Sequence, residues 1–191
     1  MTYELTSRDS AQDMDDRLAM QARAGDAEAF DALVRRYEDR LLGFAYRMLH
    51  DMSDAQDVLQ QTFLRAYRGL ASYRPGGQFA SWLYRIALNE CRRRIGARRR
   101  QPTAPEEAAA YAHSDRSSDP EAQTIQNDRN RAIREAVMKL PDHYREAILL
   151  FYFEELSVAE MARAMGVSVT AAKVRLHRAR AKLSNALKGE Q

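Results

Sequence analysis

Between residues 27 and 50 the large apolar positions are Phe30, Leu33, Val34, Tyr37, Leu41, Phe44, Ala45 and Met48. Steps of three and four place them on one stripe, so the pattern predicts a long amphipathic helix. Ser53 and Gln56 have the spacing of a capping box, which predicts a second helix with Val58, Leu59, Thr62, Ala66 and Leu70 inward and Gly69 at its end. Residues 71–78 read Ala-Ser-Tyr-Arg-Pro-Gly-Gly-Gln, and the Pro-Gly-Gly breaker makes them a loop. A third helix is expected from about Phe79 to Arg99, with Phe79, Trp82, Leu83, Ile86 and Ala87 inward. The first fifteen residues are polar and unpatterned, and are expected to form a disordered tail.

Residues 101–124 change character. They hold three of the five prolines and few large apolar side chains, too little to offset the entropy of ordering, so they read as a flexible linker. The chain is therefore expected to form two helical domains, over residues 16–100 and 125–191. The second opens with Ile125, Ile133, Val137 and Leu140. It restarts after Pro141, a residue suited to the first turn of a helix, and is expected to bury Ile148, Leu149, Phe151 and Tyr152. Ser157 and Glu160 form another capping box, opening a short helix with Met161, Ala162 and Met165 inward. Gly166 interrupts the pattern, and Ser168 can cap a last helix with Val169, Ala172, Leu176, Ala179 and Leu183 on one face.

Composition narrows the class. With eight glycines and five prolines in 191 residues rich in Ala, Arg, Leu and Glu, the fold is expected to be all-α. No apolar run is long enough for a membrane span or precedes a cleavage-like site, so the expected location is the cytoplasm. The single cysteine, Cys91, and four scattered histidines offer no metal-ligand spacing. No phosphate-binding glycine loop or triad is evident, so no cofactor, small-molecule substrate or enzymatic activity is expected.

Charge adds a partner class. The net charge of +3 hides eight acids against three arginines in residues 1–31 and seven cations with no acid in residues 161–189. A third block, Arg92–Arg94 with Arg98–Arg100, places six guanidiniums within nine residues. Two separated basic blocks suit two contacts with a polyanion. A short helix, a glycine turn and a basic helix form a helix-turn-helix, which lays its second helix in the DNA major groove.

Three stretches then carry a family likeness. Residues 54–67 read Asp-Ala-Gln-Asp-Val-Leu-Gln-Gln-Thr-Phe-Leu-Arg-Ala-Tyr, and residues 79–89 read Phe-Ala-Ser-Trp-Leu-Tyr-Arg-Ile-Ala-Leu-Asn. Leu156-Ser-Val-Ala-Glu160 and Lys173-Val-Arg-Leu-His-Arg-Ala-Arg180 follow in the second domain. In type, order and spacing they resemble the extracytoplasmic-function sigma factors of bacteria. The resemblance implies a subunit that binds core RNA polymerase, melts and reads the promoter minus-ten element with its first domain, and reads the minus-thirty-five element with its second. It also implies an anti-sigma protein as a partner, with no insertion in the membrane.

Carried onto this chain, the resemblance implies a polymerase surface of Asp54, Asp57, Gln60, Gln61, Phe63 and Arg65. Carboxylates, amides and an aromatic at one-turn spacings suit a partner helix bearing arginines. The family often has an acid where Gln61 stands. For the minus-ten strand, Tyr73, Arg74, Tyr84, Arg85, Asn89, Arg92 and Arg93 supply aromatics, an amide and cations that could stack or hold unpaired bases. Trp82 fits either the core or that surface. For the minus-thirty-five element the candidates are Ser168, Thr170, Lys173, Val174, Arg175, His177, Arg178 and Arg180. A stand-alone helix-turn-helix regulator is the rival reading.

Overall fold

The computed structural model describes residues 2–76, 78–100 and 133–188, and their regular elements are all helical. Helix α1 (Thr2–Arg23) takes in residues 2–15 of the expected tail and runs on into the expected first domain. Polar pattern fails there because the buried face includes two acids, Asp15 and Asp16, alongside Ala19 and Ala22. Their carboxylates find donors far along the chain. Asp15 accepts the Tyr37 hydroxyl at 2.5 Å and pairs with Arg36 at 2.9 Å. Such bonds offset the cost of taking a carboxylate out of water.

Helix α2 (Ala27–Leu49) starts where Asp26 accepts the Ala29 N–H at 3.1 Å, and it ends at His50 in the left-handed region. Leu33, Tyr37, Leu41, Phe44, Ala45 and Met48 are buried, as the stripe predicts, whereas Phe30 and Val34 of the same stripe are only partly buried. Burying each large apolar side chain contributes about 1.5–3 kcal/mol before entropy is charged. Helix α3 (Met52–Gly69) is capped by Asp51, which accepts the Asp54 N–H at 2.8 Å, so the expected Ser53–Gln56 box is not the one used. A charged cap at Asp51 also complements the positive end of the helix. Val58, Thr62, Ala66 and Leu70 are buried, and Leu59 partly so.

A 3-10 turn, Leu70–Ser72, leads through a loop to helix α4 (Phe79–Arg100). Of the expected stripe, Phe79, Leu83 and Ala87 are buried and Trp82 and Ile86 only partly so, while Tyr84, Leu88 and Cys91 are buried as well. The buried arc is wider than the pattern predicts because α4 is covered on two sides, by the first domain and by the second.

The expected linker, residues 101–124, and Ile125 lie outside the described residues. Residues 133–138 are helical (α5), and α6 (Asp142–Ile148) starts after Pro141. A π turn, Leu149–Phe153, follows. The looser winding of i→i+5 bonding shifts the helical phase. Ile148 and Leu149 are buried as expected, but Phe151 is only half-buried and Tyr152 is 51% exposed.

Helix α7 (Val158–Met165) opens on the predicted capping box: Ser157 Oγ accepts the Glu160 N–H and Glu160 accepts the Ser157 N–H at 2.7 Å. It ends at Gly166 with φ 69°, a left-handed turn that glycine adopts without strain. In α8 (Val169–Lys188), Ala172, Leu176 and Ala179 are buried and Leu183 partly so. Val169, expected inside, is 44% exposed at the first turn of α8, before the α7 contact begins to cover it.

The two domains share one continuous core, with α7 lying on α4. Buried Arg145 donates to the Met48 and Leu140 carbonyls, each at 3.0 Å, and so ties α6 to the end of α2. Arg47 lies 4.6 Å over the Phe153 ring, and Arg163 Nε donates to Ser81 Oγ at 3.3 Å. Among the described residues no helix is long and apolar enough to cross a membrane.

Candidate functional site

The residues expected to meet polymerase divide between two sides of α3. Asp57, Gln60 and Phe63 line an open groove of about 600 Å³ between α2 and α3, together with Phe30, Val34, Glu38, Gln56, Leu59, Leu64 and Tyr67. Phe30 packs edge-on against Phe63 and Tyr67, with ring centres 6.5 and 5.0 Å apart, which makes the floor rigid and aromatic. Leu64 is 44% and Tyr67 58% exposed, so the groove presents apolar surface inside a rim of carboxylates and amides. Sequence reasoning did not place Phe30, Val34, Glu38, Gln56, Leu59, Leu64 or Tyr67 in this site. A signal was present: Leu64 and Tyr67 follow Gln60 at steps of four and three, apolar residues on a face otherwise polar.

Asp54 and Arg65 face α4 instead. Asp54 holds Arg94 at 2.8 Å and Arg98 at 2.5 Å, and Arg94 bridges onward to Asp57. Arg65 pairs with buried Glu90 at 2.7 Å, and Glu90 also holds Arg93 at 2.8 Å. Part of the basic block of α4 is thus neutralised by acids of α3 and of α4 itself. Gln61 is half-buried.

Of the minus-ten candidates, the structure buries Tyr73 and Tyr84, a correction to the sequence reading, and pairs Arg92 and Arg93 with carboxylates. Tyr73 is buried among Phe79 and Trp82, its hydroxyl donating to Asp16. Tyr84 is fully buried, its hydroxyl donating to Glu154 of the second domain. Neither ring is open to a base, because each phenol has an internal carboxylate to satisfy. Burial pushes both phenols well above their usual range. It also pushes the Glu154 carboxyl up, against the Tyr84 hydroxyl and Arg40. Arg92 is occupied as well, bonded through Nε and Nη2 to Glu146. Arg74, Arg85, Asn89 and Arg93 remain exposed, the last three at four-residue steps along α4. Trp82 is partly buried, and its ring closes on Gly69, where a Cβ would sit 3.1 Å from Trp82 Cζ2.

On α8 the candidates come together. Thr170, Lys173, Val174, His177 and Arg178 are exposed at steps of three, one, three and one, which is a single helical face. Ser168 caps the helix, its Oγ accepting the Ala171 N–H at 3.1 Å. Arg175 lies half-buried on the flank. Arg180 departs from the face: its guanidinium stands 5.2 and 5.3 Å over the Phe151 and Tyr152 rings. The π turn that exposes Tyr152 therefore supplies the platform for Arg180.

A free, single-faced cationic helix after a glycine turn can lie in a major groove, and an acid-rimmed apolar groove on another domain can receive a partner helix. Comparison with known proteins gives the family. Residues 33–101 match the family model for sigma-70 region 2, and residues 130–183 match that for sigma-70 region 4. The chain is 34% identical to the RNA polymerase sigma-H factor of Pseudomonas aeruginosa, over 92% of this chain and 95% of that one. It is 33% identical to the ECF RNA polymerase sigma factor SigW of Bacillus subtilis, over 88% of this chain and 94% of SigW. A solved structure of CnrH in complex with the cytosolic domain of CnrY superposes with a TM-score of 0.69 at 31% identity, covering 93% of this chain and 99% of that one. The chain belongs to the extracytoplasmic-function branch of the sigma-70 family, the alternative sigma factors that direct transcription initiation.

Proposed function

We propose that this sigma factor works through three surfaces, one for polymerase and two for the promoter. The groove between α2 and α3 receives a helix of core RNA polymerase. Its aromatic floor supplies the apolar contact, while Asp57, Glu38, Gln56 and Gln60 on the rim select a partner bearing arginines and amides. Arg74, Arg85, Asn89 and Arg93 track the minus-ten strand, with Asn89 available to a base edge and the arginines to phosphate. The face of α8 from Thr170 to Arg178 reads the minus-thirty-five element in the major groove. The two domains, over residues 16–100 and 125–191, divide these tasks, and residues 101–124 connect them.

Strand opening in this reading is driven by binding energy, and the chain carries out no hydrolysis. It acts in the cytoplasm, where polymerase and promoter are. The solved complex of CnrH with the cytosolic domain of CnrY supports a protein partner for this chain as well, and our reading takes that partner to be of the anti-sigma class.

The observation that carries the reading is the exposed Leu64 and Tyr67 inside a polar rim. A stand-alone DNA-binding regulator gives no reason for this groove. Co-purification with core polymerase tests it: Leu64→Glu with Tyr67→Ala should abolish association while helicity and melting temperature hold. Undiminished capture of core by that variant would remove the groove from the account.

A further inference from the structure

We infer that Asp16 of α1 is the positioning residue of the loop between α3 and α4, the segment from Tyr73 to Phe79 that carries Arg74. The inference rests on the reading above that this loop meets the minus-ten strand. α1 carries two adjacent buried carboxylates, and their bonds diverge. Asp15 is committed to α2 through Tyr37 and Arg36. Asp16 is committed to the loop. Its Oδ1 accepts the Tyr73 hydroxyl at the loop's start and the Phe79 N–H at its end, at 3.3 Å. Its Oδ2 accepts the Gly76 N–H at the tip, at 2.5 Å.

Three donors among the described residues on one carboxylate are more than a helix cap needs. The Phe79 bond alone would serve as a remote cap for the first turn of α4. The bonds to Tyr73 and Gly76 span Pro75, so start, tip and end are fixed from one point. Gly76 has φ 144°, a conformation that side chains resist, and the bond from its N–H to Asp16 holds the chain there. A second residue of α1 acts in the same direction, since Arg23 Nη1 donates to the Tyr73 carbonyl at 3.3 Å. Arg74 and Gln78 are left exposed on a loop whose frame is set by α1. Recognition of an unpaired base needs donors held to a fraction of an ångström, and a rigid second layer of bonds provides that.

The test is transcription by the full chain with purified core polymerase over a library randomised separately at the minus-ten and minus-thirty-five elements. Asp16→Asn keeps the shape and removes the charge that these donors require. Tyr73→Phe keeps the buried ring and removes one donor, so it reads out the same network in a chain that folds. Both should flatten base preference at one or more minus-ten positions by about tenfold, with core affinity and minus-thirty-five preference unchanged. Asp15→Asn, the neighbouring carboxylate that does not touch the loop, should leave minus-ten preference intact. A uniform loss of output across all minus-ten sequences in Asp16→Asn and Tyr73→Phe, with preference unaltered, would reduce Asp16 to a structural cap and overturn the inference. Arg74→Ala separates the two levels. If it too leaves minus-ten preference unchanged, the loop does not meet the strand and the underlying reading fails. If it alters preference while the Asp16 and Tyr73 variants do not, only the positioning role is lost.

Discussion

Arg92 on α4 donates two hydrogen bonds to Glu146 on α6, Nε to Oε1 at 2.8 Å and Nη2 to Oε2 at 2.7 Å, and so joins the two domains face to face. The Glu146 side chain is almost wholly buried, while Arg92 keeps 37% of its side-chain surface in water. The pair is therefore asymmetric. Losing Arg92 strands a buried carboxylate, and losing Glu146 releases an arginine that water can solvate. Arg92→Ala should cost about 1–3 kcal/mol in urea unfolding, and adding Glu146→Leu should recover most of it. Cys91 gives a second readout, because burial pushes its thiol up to about 12 and Glu146 is one of the charges acting on it. Arg92→Ala removes one charge that holds the thiol down, so the several-fold faster modification by thiol reagents expected of it reports opening of the domain contact and not a lower thiol pKa. An unchanged labelling rate would mean that this pair does not hold the domains together.

Asp54 and Asp57 stand one turn apart yet should answer charge reversal differently. Asp54 is the shared partner of Arg94 and Arg98, with its side chain 16% exposed, whereas Asp57 is 59% exposed. Asp54→Arg sets three guanidiniums together and should lower stability by about 1–3 kcal/mol. Asp57→Arg should change it by no more than about 0.5 kcal/mol, yet weaken binding to core polymerase. Thermal melts and core pull-downs on the two variants check both statements. Equal melting temperatures would show that the Asp54 pairs contribute nothing.

Promoter reading by α8 separates Arg178 from Arg180. Arg178 lies on the free face and can donate to guanine O6 and N7, so Arg178→Ala should lose about 1–3 kcal/mol of discrimination at one base pair. Arg180 is engaged with Phe151 and Tyr152, so Arg180→Ala should weaken all promoters alike and also destabilise the second domain by about 0.5–1 kcal/mol. A promoter-library selection paired with melts distinguishes them. The same uniform loss in both variants would end the base-reading role of Arg178.

His50 makes the fold sensitive to mild acid. Burial, reinforced by the charges of Arg145 and Arg98, holds its imidazole down at about 4 against an ordinary 6.5. Below 6.5 the unfolded chain takes up a proton that the folded chain refuses, so this contribution is complete above 6.5 and is lost as pH falls toward 4. Glu154 runs the other way, since its raised carboxyl favours the fold most at low pH. The useful quantity is therefore the difference between chains. His50→Asn keeps a residue tolerant of the left-handed turn and should shrink the drop in urea midpoint between about pH 7 and about pH 5. An identical drop in the variant would exclude His50 as the source.

The helices with local signals were legible in the sequence. The stripe of α2, the capping box of α7, the Gly166 turn and the exposed face of α8 all depend on residues within a few positions of one another. What escaped depends on distant partners. α1 reads as an acidic tail because nothing near Asp15 and Asp16 announces Tyr37, Tyr73 or the loop that buries them. Tyr73 and Tyr84 have the spacing of a base-stacking surface, and only the fold reveals that Asp16 and Glu154, 57 and 70 residues away, claim their hydroxyls. The π turn at Leu149–Phe153 likewise has no local mark, yet it turns Tyr152 outward and places Phe151 and Tyr152 beneath Arg180.

The central claim is tested most directly by runoff transcription from a promoter library with purified core polymerase, run beside gel shifts of the chain alone on the same DNA. The account predicts that discrete transcripts appear only when chain and core are both present, and depend on both the minus-ten and the minus-thirty-five sequence, while the chain alone binds duplex promoter weakly. Tight, sequence-specific binding by the chain alone, with no transcripts on adding core, would contradict it.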